Sequence, residues 1–258
     1  MRGLIALENV SKRYRTRAGD SVVAVENVAF DVQPDEFVTI VGPSGCGKST
    51  LLKLIGGILA PTDGSIFFRG RPLEGPSRDV GTVFQTPVLL PWRTVIDNIL
   101  FPIEILGWSL RQYRPEAERL IASVGLQGFA HRVPRELSGG MQQRVSICRA
   151  LIHDPVLLLM DEPFGALDAM TREELGLELL RVWSERRKTV VFVTHSIPEA
   201  ILLADRVVVM TPRPGRVVKA LPIALPRPRT LQMQYSEPFR EYAEVVRDAI
   251  AYGRKNPA

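Results

Sequence analysis

Apolar and polar positions alternate through the first thirty residues, with β-branched side chains concentrated at 4–7, 22–25 and 28–32. A period of two predicts antiparallel strands, here with a polar, hairpin-like link at 15–20. The run Glu36-Phe37-Val38-Thr39-Ile40-Val41 reads as a buried strand, and residues 50–55 begin a helix. Ala60-Pro61-Thr62-Asp63-Gly64 is a turn signal, followed by strands at 65–70 and 80–85. The period then changes. Residues 95–105, 110–124 and 140–152 look helical, punctuated by Pro91, Gly107 and Gly125. Strands return at 156–160, 189–194, 205–210 and 216–220, with a helix at 169–186 whose Leu175, Leu179 and Val182 share a face. Pro222, Pro226 and Pro228 mark a linker. Phe239, Tyr242, Val246 and Ile250 form the stripe of an amphipathic tail helix packed on the core. Strands interleaved with helices predict an α/β fold, with an antiparallel β subdomain at its start and a helical subdomain inserted at about 89–152.

Composition narrows this only a little. The chain has 258 residues, 45% hydrophobic and 24% charged, enough for one large domain or two small ones. The formal charge of +5 is spread out, with short clusters at 13–17, 186–188 and 213–229. These read as solvated faces with some local phosphate binding, and give no argument for nucleic acid. Two cysteines, Cys46 and Cys148, lack metal-ligand spacing and point to a reducing compartment. The opening residues hold too short an apolar run for a secretory signal, and no stretch approaches ~18 consecutive apolar residues. A role at a membrane therefore requires docking to something that spans it.

The candidate chemistry starts at Gly42-Pro43-Ser44-Gly45-Cys46-Gly47-Lys48-Ser49-Thr50, which fits G-x-x-x-x-G-K-[ST] between a strand and a helix. Glycines let backbone N–H groups curl around a phosphate, and the helix N-terminus adds its positive end. Lys48 is placed to reach the β and γ phosphates, and the Ser49 hydroxyl to ligate Mg²⁺. Further along, the run Val156-Leu157-Leu158-Leu159-Met160 ends in Asp161-Glu162. A buried strand ending in adjacent carboxylates suits a metal-holding Asp161 and a Glu162 that polarises an attacking water. Four features admit two readings each. Tyr14 between bases either stacks on an adenine or covers a sheet edge. Gln85 at a strand end either enters the ligand crevice or bonds its own turn. Ser138-Gly139-Gly140 is either an anion-binding helix start or an ordinary one. His195, at the end of the 189–194 strand, is either structural or in the crevice.

Taken together, these motifs resemble the nucleotide-binding subunits of ABC transporters, over about residues 4–225. The resemblance rests on the loop at 42–50, the signature Leu137-Ser138-Gly139-Gly140-Met141-Gln142-Gln143-Arg144, the Asp161-Glu162 strand, Asp168 and His195, in matching order and spacing. It implies a P-loop NTPase core of the ABC ATPase type over 1–225, and a linker and helical tail over 226–258. It makes Tyr14 the aromatic residue that stacks on adenine. Gln85 becomes the residue that senses Mg²⁺ and the γ-phosphate. Two copies would sandwich two ATP molecules head to tail, each touching one copy's 42–50 loop and the other's Ser138, Gly139 and Gly140. Glu162 would be the general base, His195 would contact the γ-phosphate, and Asp168 would communicate across the dimer. Transmembrane permease subunits would dock near Gln85 at the cytoplasmic face of the membrane, fed by a solute-binding protein. The family commonly has Asp after the switch histidine. Here Ser196 stands there, so any capping role falls to it.

Leu89 to Asn98, the stretch 161–168 and Pro212-Arg213-Pro214-Gly215-Arg216 are similar to the nitrate/sulfonate/taurine importer branch; pyrimidine-type vitamin-precursor importers share much of this. Soluble ABC ATPases usually carry two nucleotide domains or a long coiled-coil insertion, and neither is evident. A P-loop kinase would lack the signature and the histidine.

Overall fold

The structure, a computed structural model, describes residues 3–15, 19–185 and 187–255, with Arg254 and Lys255 described by main chain only. The centre of the 15–20 link, Arg17 and Arg186 of the basic clusters, and the ends of the chain lie outside them. In chain order the elements are β1 (Ile5–Arg15), β2 (Ser21–Val32), β3 (Phe37–Val41), α1 (Lys48–Ile55), β4 (Asp63–Phe68), β5 (Arg71–Pro72), β6 (Val80–Val83), α2 (Val95–Ile105), α3 (Leu110–Ser123) and α4 (Gly139–Leu151). There follow β7 (Leu157–Asp161), α5 (Ala169–Glu185), β8 (Thr189–Thr194), α6 (Ile197–Leu203), β9 (Arg206–Met210), β10 (Val217–Pro222) and α7 (Glu237–Lys255). They form two compact units, Met1–Ser77 with Lys188–Ala258, and Arg78–Arg187.

The first unit contains two sheets. An antiparallel sheet runs β2-β1-β4-β5. β1 continues to Arg15 and β2 is unbroken, where alternation alone marked only three short strands. Register shifts between Leu7 and Arg13 are the cause, because each bulge resets which face a side chain takes. The second sheet has β3 parallel between β8 and β9, with β10 antiparallel on β9. Every residue of β3 and β8 is buried, as strands covered on both faces require. Val41 pairs with Thr194. The two strands therefore end together, and both the 42–50 loop and His195 leave the same edge.

Three arginines of the 213–229 run differ from the solvated reading. Arg216 pairs with Glu26, Arg227 Nη2 lies 2.7 Å from Asp205 Oδ1, and Arg229 is buried. Charge in a sequence does not reveal that carbonyls and carboxylates converge on it. The tail helix α7 packs on α6, β9 and β10 with Phe239 and Val246 buried, and the Tyr242 hydroxyl accepts from the Ala224 N–H at 3.0 Å.

In the second unit β6 and β7 are parallel, Val83 opposite Met160. Gln85 and the Asp161-Glu162 pair thus leave a common edge. Gln85 lies two residues beyond β6 rather than within it. α2, α3 and α4 share one core that includes Ile99, Ile103, Leu120, Ile121, Val145 and Cys148. The fully buried Asn98 is satisfied there. Its Oδ1 accepts from Leu90 N at 2.7 Å, and its Nδ2 donates to the carbonyls of Leu90, Arg93 and Thr94 at 3.0–3.1 Å, tying the 90–94 loop to α2. β5 and α6 escaped the sequence pattern because two and seven residues are too few to show a period.

Ile99→Ala tests the helical core. Removing a fully buried side chain from this cluster should cost about 3 kcal/mol, read as a lowered denaturant midpoint. A shift below ~1 kcal/mol would mean the site collapses around the loss.

Candidate functional site

The 42–50 loop is shaped by what lies behind it. Gly45 and Gly47 have φ of 75° and 102°, the left-handed region that disfavours a Cβ. At Gly47 a Cβ would also lie 2.6 Å from the Ala24 carbonyl oxygen and 2.8 Å from Val25 Cγ1, both on β2. Lys48 is buried, and its Nζ donates to the carbonyls of Gly42 and Pro43 at 3.0 and 3.1 Å. α1 begins at Lys48, so Ser49 and Thr50 sit in its first turn, both half-buried, while Ser44 and Gly45 are exposed.

A second support was not foreseen from sequence. The 211–216 turn is closed by Thr211, whose Oγ1 donates to Pro214 O and accepts from Arg216 N, both at 2.9 Å. Gly215 exchanges hydrogen bonds with β2, its N–H to Ala24 O and its carbonyl from Glu26 N, each 3.0 Å. A Cβ on Gly215 would drive into the Cys46 carbonyl. In the sequence Pro212-Arg213-Pro214-Gly215-Arg216 carried only a likeness to an importer branch, and neither the turn nor its contact with the loop was read from it.

Tyr14 pairs with Val22, near the start of β2, whose Ala24 and Val25 border Gly47. It belongs to β1 itself. The residue is 39% exposed, with the Lys12 ammonium 5.7 Å from its ring centroid. His195 is exposed and follows β8 directly. Its neighbours are fixed: Ser196 N donates to Thr194 Oγ1 at 3.0 Å, Thr194 Oγ1 bonds the Glu199 carboxylate, and Ser196 Oγ accepts from Glu199 N at 3.4 Å. Ser196 is thus the N-cap of α6.

In the second unit Asp161 closes β7, and Glu162 adopts a φ of 42°, unusual for a side chain larger than glycine. The turn that follows is held by Gly165 N to Glu162 O at 3.0 Å and by Arg172, which donates to Phe164 O and Leu167 O. Asp168 accepts the Thr171 N–H at 3.0 Å, and bonds from Thr171 hold its carboxyl below the usual range. Gln85 is exposed, its Nε2 3.6 Å from where Gly165 would carry a Cβ.

α4 ties these pieces together. Ser138 caps it, Oγ accepting from Met141 N at 3.3 Å, and Ser138 and Gly139 are exposed. Gly140 is tightly packed, since a Cβ would meet Thr171 Cγ2 at 3.0 Å. The buried Gln143 donates to Phe84 O at 3.4 Å, and Arg149 donates to Pro87 O and Val88 O at 2.8 Å. Arg144 lies 3.1 Å from Glu178 on α5. Gln143 and Arg149 were missed in the sequence. Their only trace is a polar residue on a face that the helical period marks as buried. Beside them a groove of about 410 Å³ opens, lined by Phe84, Val88, Phe101, Ile105, Arg78 and Arg149 among others.

Residues 25–165 match the family model described as ABC transporter, more than half of the 258 residues. The chain belongs to the ABC transporter family. An ABC transporter ATP-binding protein of Methanocaldococcus jannaschii, MJ0412, is 45% identical over 97% of this chain and 94% of its own length. A taurine import ATP-binding protein, TauB, of a Jannaschia species is 46% identical over 83% and 80%. Among solved structures, the ATP-binding cassette MJ0796, in a dimeric post-hydrolysis state with ADP and Pi, is 34% identical with a TM-score of 0.75, covering 86% of this chain and 99% of that one. This ABC chain is an ATP-hydrolysing cassette of the P-loop NTPase fold. Among the described residues, no helix is long and apolar enough to cross a membrane.

Gly215→Ala probes the support behind the 42–50 loop. Displacing Cys46 should weaken ATP binding about tenfold, roughly 1.4 kcal/mol, by calorimetry with a non-hydrolysable analogue. Unchanged affinity in a folded variant would show that the turn does not constrain the loop.

Proposed function

We propose that this chain is the ATP-hydrolysing subunit of an importer, working as a homodimer at the cytoplasmic face of a cell membrane. The observation that carries this reading is the conformation of 42–50: left-handed Gly45 and Gly47, a Lys48 turned into the loop, and a helix starting there. A glycine-rich loop leading into a helix N-terminus suits a phosphate chain. Gly42, Pro43, Ser44, Gly45, Cys46, Gly47, Lys48, Ser49 and Thr50 cradle the phosphates, and Tyr14 offers its exposed face to the adenine.

Ser49, Asp161 and Gln85 are the groups for Mg²⁺. Among the described residues no cluster of three or more His, Cys, Asp or Glu forms a metal site by itself. That fits Mg²⁺, which keeps several waters and leans on substrate phosphates, so that few protein groups suffice. Bound Mg²⁺ neutralises charge on the phosphates. Glu162 takes the proton of the attacking water, and His195 holds the γ-phosphate side of the geometry. Ser138, Gly139 and Gly140 serve the ATP of the opposite copy. The exposure of Ser138 and Gly139 at a capped helix start supports this, since such an end can take an anion from elsewhere. Asp168, beside them, signals across that interface.

The groove beside Gln85 receives a short apolar-faced helix of a transmembrane permease. Phe84 and Val88 of its lining lie on the segment that Gln143 and Arg149 hold, so a push on the groove reaches Gln85 and the signature together. The solute is a small anion such as taurine, an aliphatic sulfonate or nitrate, delivered by a solute-binding protein. Taurine-import relatives at 44–48% identity support the sulfonate reading over a pyrimidine-type precursor or a soluble ABC ATPase.

Glu162→Gln should lower turnover at least ~100-fold, retain ATP binding and trap an ATP-bound dimer, seen as a mass shift in solution. Ser138→Arg should bind ATP yet stay monomeric. Near-normal turnover by the Glu162 variant would remove the base assignment.

A further inference from the structure

The segment Leu225-Pro226-Arg227-Pro228-Arg229 follows β10 and reads from sequence as a linker. Its two arginines instead grip the ends of other elements. Arg229, 6% exposed, directs Nη1 at the carbonyls of Ile201, Leu202 and Ala204, at 2.9, 3.1 and 2.6 Å. These are the last carbonyls of α6, which a helix of seven residues cannot satisfy internally. A guanidinium there also matches the negative end of the helix dipole. Its Nη2 donates to Ile223 O and Leu225 O at 3.3 and 3.4 Å, so the same group fastens its own segment. Arg227 donates to Leu203 O at 2.9 Å and pairs with Asp205, whose other oxygen accepts the Phe37 N–H at 2.9 Å.

The opposite end of α6 carries His195. Thr194 and Ser196, on either side of it, are bonded to each other and to Glu199 in the first turn of the helix. α6 spans only seven residues, about two turns, and Ala200 to Leu203 are all buried, so few backbone torsions separate the clamped C-terminus from His195.

We propose that Arg229 is a positioning residue for hydrolysis: by clamping the C-terminus of α6, it sets where His195 points. This rests on the assignment of His195 to the γ-phosphate.

The experiment compares wild type with Arg229→Gln and Arg229→Lys in the full chain. Arg229→Gln should lower kcat about tenfold and leave KM for ATP within about twofold, with Arg229→Lys recovering part of the loss. The chain has three histidines, so ring resonances of His131 and His153 serve as internal controls. His195 should shift and broaden in Arg229→Gln while the other two stay. If Arg229→Gln does not fold, Arg229→Lys carries both readouts, with a smaller fall in kcat and a His195 shift. An unmoved His195 resonance, or a loss confined to KM, overturns the proposal. His195→Ala distinguishes the two levels. If that variant keeps normal turnover, the role of His195 fails, whereas the positioning is still judged by the resonance.

Discussion

The close packing of β2 and the 211–216 turn against the back of the phosphate loop is the constraint on which the first unit depends. A strand carbonyl sits where any side chain on Gly47 would go, and Gly215 sits under Cys46 with no space to spare. The backbone of the loop is thereby held in one conformation from behind. Preorganisation of this kind matters because reorienting dipoles during binding would cost part of the interaction they provide. The all-buried β3 and β8 anchor the other side, and their shared register fixes how far the loop and His195 project.

The second unit solves a different problem, holding Gln85, the start of α4 and Asp168 in fixed relation while they stay exposed. α4 does this by side-chain bonds to main-chain carbonyls. Gln143 and Arg149 hold the segment on either side of Gln85, Arg144 pairs with Glu178 on α5, and Gly140 abuts Thr171 next to Asp168. Bonds to carbonyls are a durable choice, because any residue can follow in the loop while the backbone acceptor stays. Arg149 accepts a cost for this, since burial lowers its pKa.

Helix and strand identities were largely legible from period. α2 and β8 match their expected spans, because an eleven-residue amphipathic run and a six-residue apolar run carry unambiguous signals. β1 and β2 were not resolved so well, since bulges broke the alternation. The candidate motifs stand out in the sequence for a different reason: the loop at 42–50, the 137–144 stretch, Asp161-Glu162 and His195 are local patterns of fixed residue types at fixed spacing.

Sequence by itself determined the family, the α/β class with its helical insertion, and the residue types available for phosphate and water. It did so because those features are written in short-range order. Only the tertiary structure decided what the basic run at 213–229 is for. Arg216, Arg227 and Arg229 are engaged in tertiary contacts rather than solvated because Glu26, Asp205 and the α6 carbonyls, distant along the chain, converge on them. The same holds for Gly215 beneath Cys46 and Gln143 against Phe84. Each is a contact across tens of residues, and a one-dimensional pattern carries no record of which distant atoms will meet.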